Sequence, residues 1–300
     1  MTQDLDHIII NFDHTQILVL NVCLGILMFG VALELKLSDF KYIIQQPKVV
    51  IGGMVSQWIL LPVLTIGLIY LIRPDYSLAL GMILIAACPG GNVSNYAVHL
   101  AGANAALSVV LTMVTTVMCA VSTPFIFRNL KKLLPLSGDE YPPFDIAFLD
   151  MLSTIGQLIL IPLTIGFLFT TYLPVLTCKI KGVVKKVSFL IFIGFVIAAV
   201  SGNLDNLYNY VYIVFFIVLV HNGLALVIGY YWSEKILRLT VNDCRAISIE
   251  TGIQNSGLAL ILIFNFFDGL GGMALIAAWW SIWHLLSSLA LAWWWKFKVR

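Results

Sequence analysis

The chain is 300 residues long, 60% hydrophobic and 11% charged, with a mean hydropathy of +0.97. A soluble domain carries roughly 25% charged residues, so no water-soluble fold of this length can hide so much apolar surface. The net charge of +2 gives no footprint for a nucleic-acid partner, and the five cysteines (Cys23, Cys88, Cys119, Cys178, Cys244) show no metal-ligand spacing and no disulfide framework.

An all-α polytopic membrane protein is left. A helix needs about 20 consecutive apolar residues to cross a bilayer, and stretches of that length recur. The first 14 residues carry Asp4, Asp6 and Asp13 with no Lys or Arg. That is the wrong start for a signal peptide, so the first apolar run, residues 14–33, is expected to stay as a span. The second span covers 49–72. An uncharged stretch from 76 to 127 is long enough for two more, hinged at Gly102 to Asn104. After a polar loop with Lys131, Lys132, Asp139 and Glu140, spans are predicted near 145–172, 187–202, 208–232, 244–267 and 270–295. This makes nine transmembrane helices in a single transmembrane domain over residues 1–300.

Threading the spans with the N-terminus outside puts four basic groups on the inner side. They are Lys36, Lys41 and Lys48; Lys179, Lys181, Lys185 and Lys186; Lys235, Arg238 and Arg245; and the tail Lys296, Lys298 and Arg300. Of the 17 basic residues only Arg73, Arg128, Lys131 and Lys132 then lie outside, as the positive-inside rule expects. The reading is a multi-pass protein of the cell (inner or plasma) membrane with a cytoplasmic C-terminus, monomeric, with the lipid bilayer as a partner. Trp293, Trp294 and Trp295 before the tail read as an interfacial aromatic belt.

Two spans are interrupted. The third carries C-P-G-G-N-V-S-N at its middle, with Pro89, Gly90 and Gly91. Pro removes a donor and clashes with the preceding turn, and non-helical backbone at this depth survives only around a protein-enclosed cavity. The eighth carries E-T-G-I-Q-N-S-G, which puts Glu250, Gln254, Asn255 and Ser256 at bilayer depth. One span runs inward and the other outward, each between two long apolar spans. Residues 49–127 and 208–295 thus read as an inverted pair within half-repeats of about 14–130 and 145–297. Paired interruptions in inverted halves point to a transporter's midplane site.

An ionisable group near the bilayer centre costs at least about 2.5 to 3.5 kcal/mol, so Glu250 needs a partner. A cation that comes and goes suits it, and sodium is hard and takes oxygen ligands. Oxygen donors are at hand in Ser94, Asn95, Gln254 and Asn255, and in Ser108 and Thr112, one helical turn apart on one face. Gln57 is a further polar side chain in the second span. Asp150 lies near an outer helix end, where it is solvated. The five histidines (His7, His14, His99, His221, His284) have no zinc spacing, and His221 and His284 read as inter-helix hydrogen-bonding residues. With no P-loop, H-E-x-x-H or G-x-S-x-G, an ATP-driven pump is excluded within this chain and an intramembrane enzyme has no support.

C-P-G-G-N-V-S-N, followed by A-N-A-A-L-S-V-V-L-T and then R-A-I-S-I-E-T-G-I-Q-N-S-G-L-A, resembles the bile acid:sodium symporter family of organic-anion carriers. So do L-G-I-L-M-F-G-V-A-L-E-L-K-L-S-D-F and P-K-V-V. The resemblance covers nearly the whole chain. It implies a panel domain and a core domain, with the two interrupted helices crossing in the core and substrate bound between the domains. It implies two sodium sites: one from Ser94, Asn95, Ser108, Thr112 and Glu250, and another from Gln57, Glu250 and Gln254 with the carbonyls of Thr251 and Ile253. Asn92, Asn255 and His284 are the implied substrate contacts. Bacterial relatives often have ten spans, and the resemblance implies that this chain starts where their second would, leaving nine as in animal members. They also tend to carry Thr after the Gly pair and Asn after the last-span His, where this chain has Asn92 and Leu285. The expected function is sodium-coupled symport of a small or amphipathic organic anion such as a bile acid, sulfated steroid, or hydroxy or keto acid. An uncoupled facilitator or channel is the alternative.

Overall fold

The computed structural model describes residue 6 and residues 14–33, 37–134, 147–201 and 204–298. The expected loop residues Lys36, Asp139 and Glu140 and the tail residue Arg300 lie outside these. The described chain is helical throughout. Its elements are α1 (His14–Ala32), α2 (Leu37–Gln45), α3 (Pro47–Ile72), α4 (Tyr76–Ala87), α5 (Val93–Leu100), α6 (Ala105–Lys131), α7 (Phe148–Tyr172), α8 (Pro174–Ser201), α9 (Leu204–Tyr231), α10 (Val241–Gly252), α11 (Ser256–Phe266) and α12 (Gly271–Lys298). Among the described residues six helices are long and apolar enough to cross a bilayer, namely α1, α3, α6, α7, α9 and α12, while α4 and α11 are shorter apolar helices. Such a set makes a multi-pass membrane protein.

Local chemistry explains the irregular points. In both α3 and α7 a widened π turn, at Ser56–Leu60 and Gly156–Leu160, directly precedes a Leu-Pro or Ile-Pro pair containing Pro62 or Pro162. Pro cannot donate to the preceding turn, so the ladder there takes up an extra residue. The hinge expected at Gly102 to Asn104 is a tight turn with Gly102 at φ 62°. Asn104 then caps α6 by accepting the Leu107 N–H at 3.1 Å. Asp6 plays the same part for α4, accepting the amides of Tyr76 at 3.2 Å and Ser77 at 2.7 Å.

Three expectations about position are corrected. The basic stretch Lys179 to Lys186 belongs to helix α8, which starts at Pro174, and not to a loop; Pro is well placed in a first helical turn and Lys is a good helix former. Arg245 is buried inside α10, and its guanidinium lies 5.5 Å over the Trp295 ring. Trp295 accordingly faces the protein, while Trp293 and Trp294 are exposed. Successive helical residues point about 100° apart, so three consecutive tryptophans cannot all face lipid.

The main apolar core forms around α4 and α11. Every residue of α4 and all of α11 from Ser256 to Phe264 are buried. α12 packs along α4 and α11, α9 packs along α10, and α1, α7 and α8 pack on one another. α5 differs: Ser94, Ala97 and Val98 are buried, whereas Tyr96 is 63% exposed.

Candidate functional site

Both interrupted helices break where expected, and the breaks meet. Between α4 and α5, and between α10 and α11, the two unwound segments pair in antiparallel fashion at Gly90 and Gln254. The Gly91 N–H donates to the Ile253 carbonyl at 3.1 Å, and the Asn255 N–H donates to the Pro89 carbonyl at 2.8 Å. The two glycines leave room for this approach. A Cβ on Gly91 would stand 3.0 Å from the Gln254 carbonyl oxygen, and one on Gly90 would stand 3.1 Å from the Glu250 carboxylate.

Each broken helix end would leave carbonyls without partners in a medium that offers none. Here side chains meet several of them. Thr123 Oγ1 donates to the Ala87 carbonyl at 2.8 Å, closing the end of α4. At the end of α10, Gln57 Nε2 donates to the Glu250 carbonyl at 3.0 Å, Gln254 Nε2 to Thr251 at 3.0 Å, and Asn222 Nδ2 to Gly252 at 2.7 Å. On the other side of the crossing the side chain of Asn255 caps α11 by accepting the Leu258 N–H at 3.0 Å.

Glu250 sits at the centre and is fully buried. Ser94 and Ser108 donate to its Oε1. Thr112 Oγ1 lies 3.1 Å from both carboxylate oxygens, and Gln57 Nε2 lies 3.4 Å from Oε2. The hydroxyls also see one another: Ser94 lies 3.3 Å from Thr112, and Ser108 Oγ is 2.8 Å from Asn95 Oδ1. A hydroxyl has one proton and two lone pairs. Ser108 can therefore satisfy Glu250 or Asn95 but not both at once, and a small rotation turns its lone pairs towards the carboxylate's other neighbours.

Two amide oxygens complete the geometry. Gln57 Oε1 and Gln254 Oε1 are buried and have no hydrogen-bond partner. Their orientation follows from the amide nitrogens, since the Gln57 Nε2 faces the Glu250 carbonyl and carboxylate and the Gln254 Nε2 faces the Thr251 carbonyl. A buried acceptor without a donor costs about 1 to 3 kcal/mol. The carbonyls of Thr251 and Ile253 each accept one bond and keep a second lone pair. Carboxylate, hydroxyl and amide oxygens form the whole set, for no group of three His, Cys, Asp or Glu occurs among the described residues. Oxygen-only surroundings of this kind suit a hard cation.

The structure thus brings Ser94, Asn95, Ser108, Thr112, Gln57, Glu250, Thr251, Ile253 and Gln254 together around the crossing. Asn92 and Asn255 flank it, half-buried at the starts of α5 and α11. His284 is buried on α12 with its Nδ1 unpartnered. His221 joins helices as expected, its Nε2 lying 2.8 Å from Thr65 Oγ1. Four contributors were not anticipated: Thr115, which accepts the Gly90 N–H at 3.3 Å; Thr123; Ser56, whose hydroxyl lies 2.7 Å from that of Thr251; and Asn222. Asn222 carries a readable signal, because an amide inside the apolar run of α9 demands a partner. The threonines carry none, since a hydroxyl in an apolar helix ordinarily bonds back to its own turn, as Thr115 also does with Leu111 at 2.8 Å.

Comparison with known proteins agrees with this architecture. The sequence matches the Sodium Bile acid symporter family over residues 21–210. The uncharacterized sodium-dependent transporter YocS of Bacillus subtilis (strain 168) is 34% identical over 282 residues, covering 94% of this chain and 84% of that protein. The probable sodium/metabolite cotransporter BASS2, chloroplastic, of Oryza sativa subsp. japonica is 30% identical over 275 residues, covering 86% of this chain and 63% of its own length. The corresponding BASS1 protein of Arabidopsis thaliana is 30% identical over 249 residues, covering 82% and 59%. This chain therefore spans less than two thirds of the two plant proteins. All three relatives are named as transporters, none as an enzyme. With the family model matched over residues 21–210 and a sodium-dependent transporter 34% identical over 94% of the chain, the chain belongs to the sodium bile acid symporter family, whose members are sodium-dependent membrane transporters.

Proposed function

We propose that the chain is a symporter that couples two sodium ions to one small or amphipathic organic anion, and that both ions bind at the crossing. The observation that carries this reading is a fully buried carboxylate beside two buried amide oxygens that lack any donor. A cation entering there gains Glu250 and relieves Gln57 or Gln254 in the same step. One ion takes Ser94, Asn95, Ser108, Thr112 and Glu250. The other takes Gln57, Glu250 and Gln254 with the carbonyls of Thr251 and Ile253. The hydroxyls serve both states of the cycle, turning protons towards Glu250 when the ion leaves and lone pairs outward when it binds.

Nine spans, with α1, α7 and α8 as the panel and the remaining long helices as the core, set the substrate between the two groups near Asn92, Asn255 and His284. The N-terminus lies outside the cell membrane and the C-terminus in the cytoplasm. The organic anion is of the class of a bile acid, a sulfated steroid, or a hydroxy or keto acid.

Two sodium ions with a monoanion carry one net positive charge per cycle, so a 100 mV potential contributes about 2.3 kcal/mol. The test is uptake into proteoliposomes of whichever organic anion stabilises the protein in a sodium-dependent thermal screen. With equal sodium on both sides, an inside-negative potassium diffusion potential should raise uptake above the zero-potential control. Uptake indifferent to voltage removes the two-ion reading, and equilibration without sodium dependence makes the protein a facilitator.

A further inference from the structure

Outside the carboxylate cluster, α12 runs along the second break and reaches both of its ends through polar side chains. Ser281 Oγ donates to Ser256 Oγ, at the first residue of α11, at 2.7 Å. Six residues on, Ser287 Oγ donates to Asn222 Oδ1 at 2.6 Å, and Asn222 Nδ2 donates to the carbonyl of Gly252, the last residue of α10, at 2.7 Å. Ser287 Oγ also lies 3.3 Å from the His284 carbonyl. His284 therefore belongs to the stretch of α12 that bridges the unwound segment.

Asn222 is fully buried, and both ends of its amide are matched. Of the ties on the carbonyls around this break, those on Glu250, Thr251 and Ile253 come from Gln57, Gln254 and Gly91, all at the crossing itself. The tie on Gly252 leads out of it, to α9 and on to α12. With Ser256 held to Ser281, a change in the span from Gly252 to Ser256 must be taken up along α12 between Ser281 and Ser287. Interiors pack too closely to absorb such a change silently.

We propose that Asn222, oriented by Ser287, is a positioning residue that transmits ion occupancy at the second break to the His284 turn of α12. This rests on the reading of the crossing as a sodium site. By linkage, whatever α12 contacts feeds back on sodium affinity to the same extent.

The test uses the purified full-length protein with sodium chloride as the probe and choline chloride as the control. Leu285, half-buried beside His284, is replaced as Leu285→Cys, and its alkylation rate is followed site by site by peptide mass spectrometry. Sodium affinity is taken separately from the sodium-dependent rise in Tm. In the Leu285→Cys parent, sodium should change the alkylation rate. Adding Asn222→Leu or Ser287→Ala should abolish that change, and in Ser287→Ala the sodium midpoint should stay near the parent's value. Ser287→Ala removes only the hydroxyl that orients Asn222 and carries the same test if Asn222→Leu does not fold. A parent without a sodium response, a response that survives both substitutions, or loss of sodium binding itself in Ser287→Ala would each overturn the relay. Glu250→Gln separates the two ideas: sodium stabilisation persisting in that variant overturns the ion site, whereas its loss there alongside an intact response in Asn222→Leu overturns the relay alone.

Discussion

The break after α4 and the break after α10 meet the same demand, backbone without a helix at bilayer depth, with different chemistry. The unwound turn after α4 itself contributes almost no side chain to the crossing: Pro89 offers its own carbonyl to the Asn255 N–H, Gly90 and Gly91 leave room for the opposite strand and for Glu250, and Ser94 and Asn95 stand beyond it on α5. The second contributes the charge and the amides, with Glu250, Gln254 and Asn255 flanking a single turn of chain. The first turn is a floor, and the second break carries the charge and the amides. A site that must bind an ion and release it again gains from this division, because the floor stays fixed while the hydroxyls and amides reorient above it.

Substitutions on the two sides should therefore fail differently. Gly91→Ala should be the most damaging, since its Cβ would meet the Gln254 backbone at 3.0 Å; overpacking of this kind costs about 1 to 3 kcal/mol, visible as a lower Tm with and without sodium. Gly90→Ala should be more selective. Its Cβ would sit 3.1 Å from the Glu250 carboxylate, so sodium affinity should fall about tenfold, or about 1.4 kcal/mol, with less effect on Tm in choline. Ser108→Ala removes one of the hydroxyls on Oε1 while Ser94 and Thr112 remain. Loss of one such bond, about 1 kcal/mol, should weaken apparent sodium affinity about fivefold. Thr123→Val only uncaps the end of α4, and at about 0.6 kcal/mol, the average for a side-chain bond between membrane helices, should lower Tm slightly and leave sodium dependence unchanged. Equal behaviour of Gly91→Ala and Gly90→Ala in sodium titrations would erase the distinction between floor and ligands.

Much of this was legible in the residues. Pro89-Gly90-Gly91 and Glu250 to Ser256 announce their breaks because proline, paired glycines and a carboxylate are all costly in hydrocarbon. The positions of the long apolar helices followed from composition alone. What could not be read was the pairing of the breaks and the fate of each carbonyl, which depend on which helices lie side by side. Thr123 and Thr115 look like any helical threonine until α4 is packed against α6. Arg245 and Trp295 were misplaced for a related reason: in the sequence both stand at span edges where charge and aromatic residues usually meet the interface, and only the packing of α10 near the end of α12 turns them inward to face each other.

Sodium binding to the Glu250→Gln protein tests the central claim most directly. The isostere keeps the shape of the side chain and removes the charge that both ions share. At sodium 100 times its dissociation constant, one bound ion stabilises the folded state by about 2.7 kcal/mol, which a Tm series in sodium against choline resolves. The parent protein should gain stability with sodium, and Glu250→Gln should remain folded with a Tm that does not respond. A Glu250→Gln protein that gains the same stability from sodium as the parent would contradict the account, because the ion would then be binding somewhere other than the crossing.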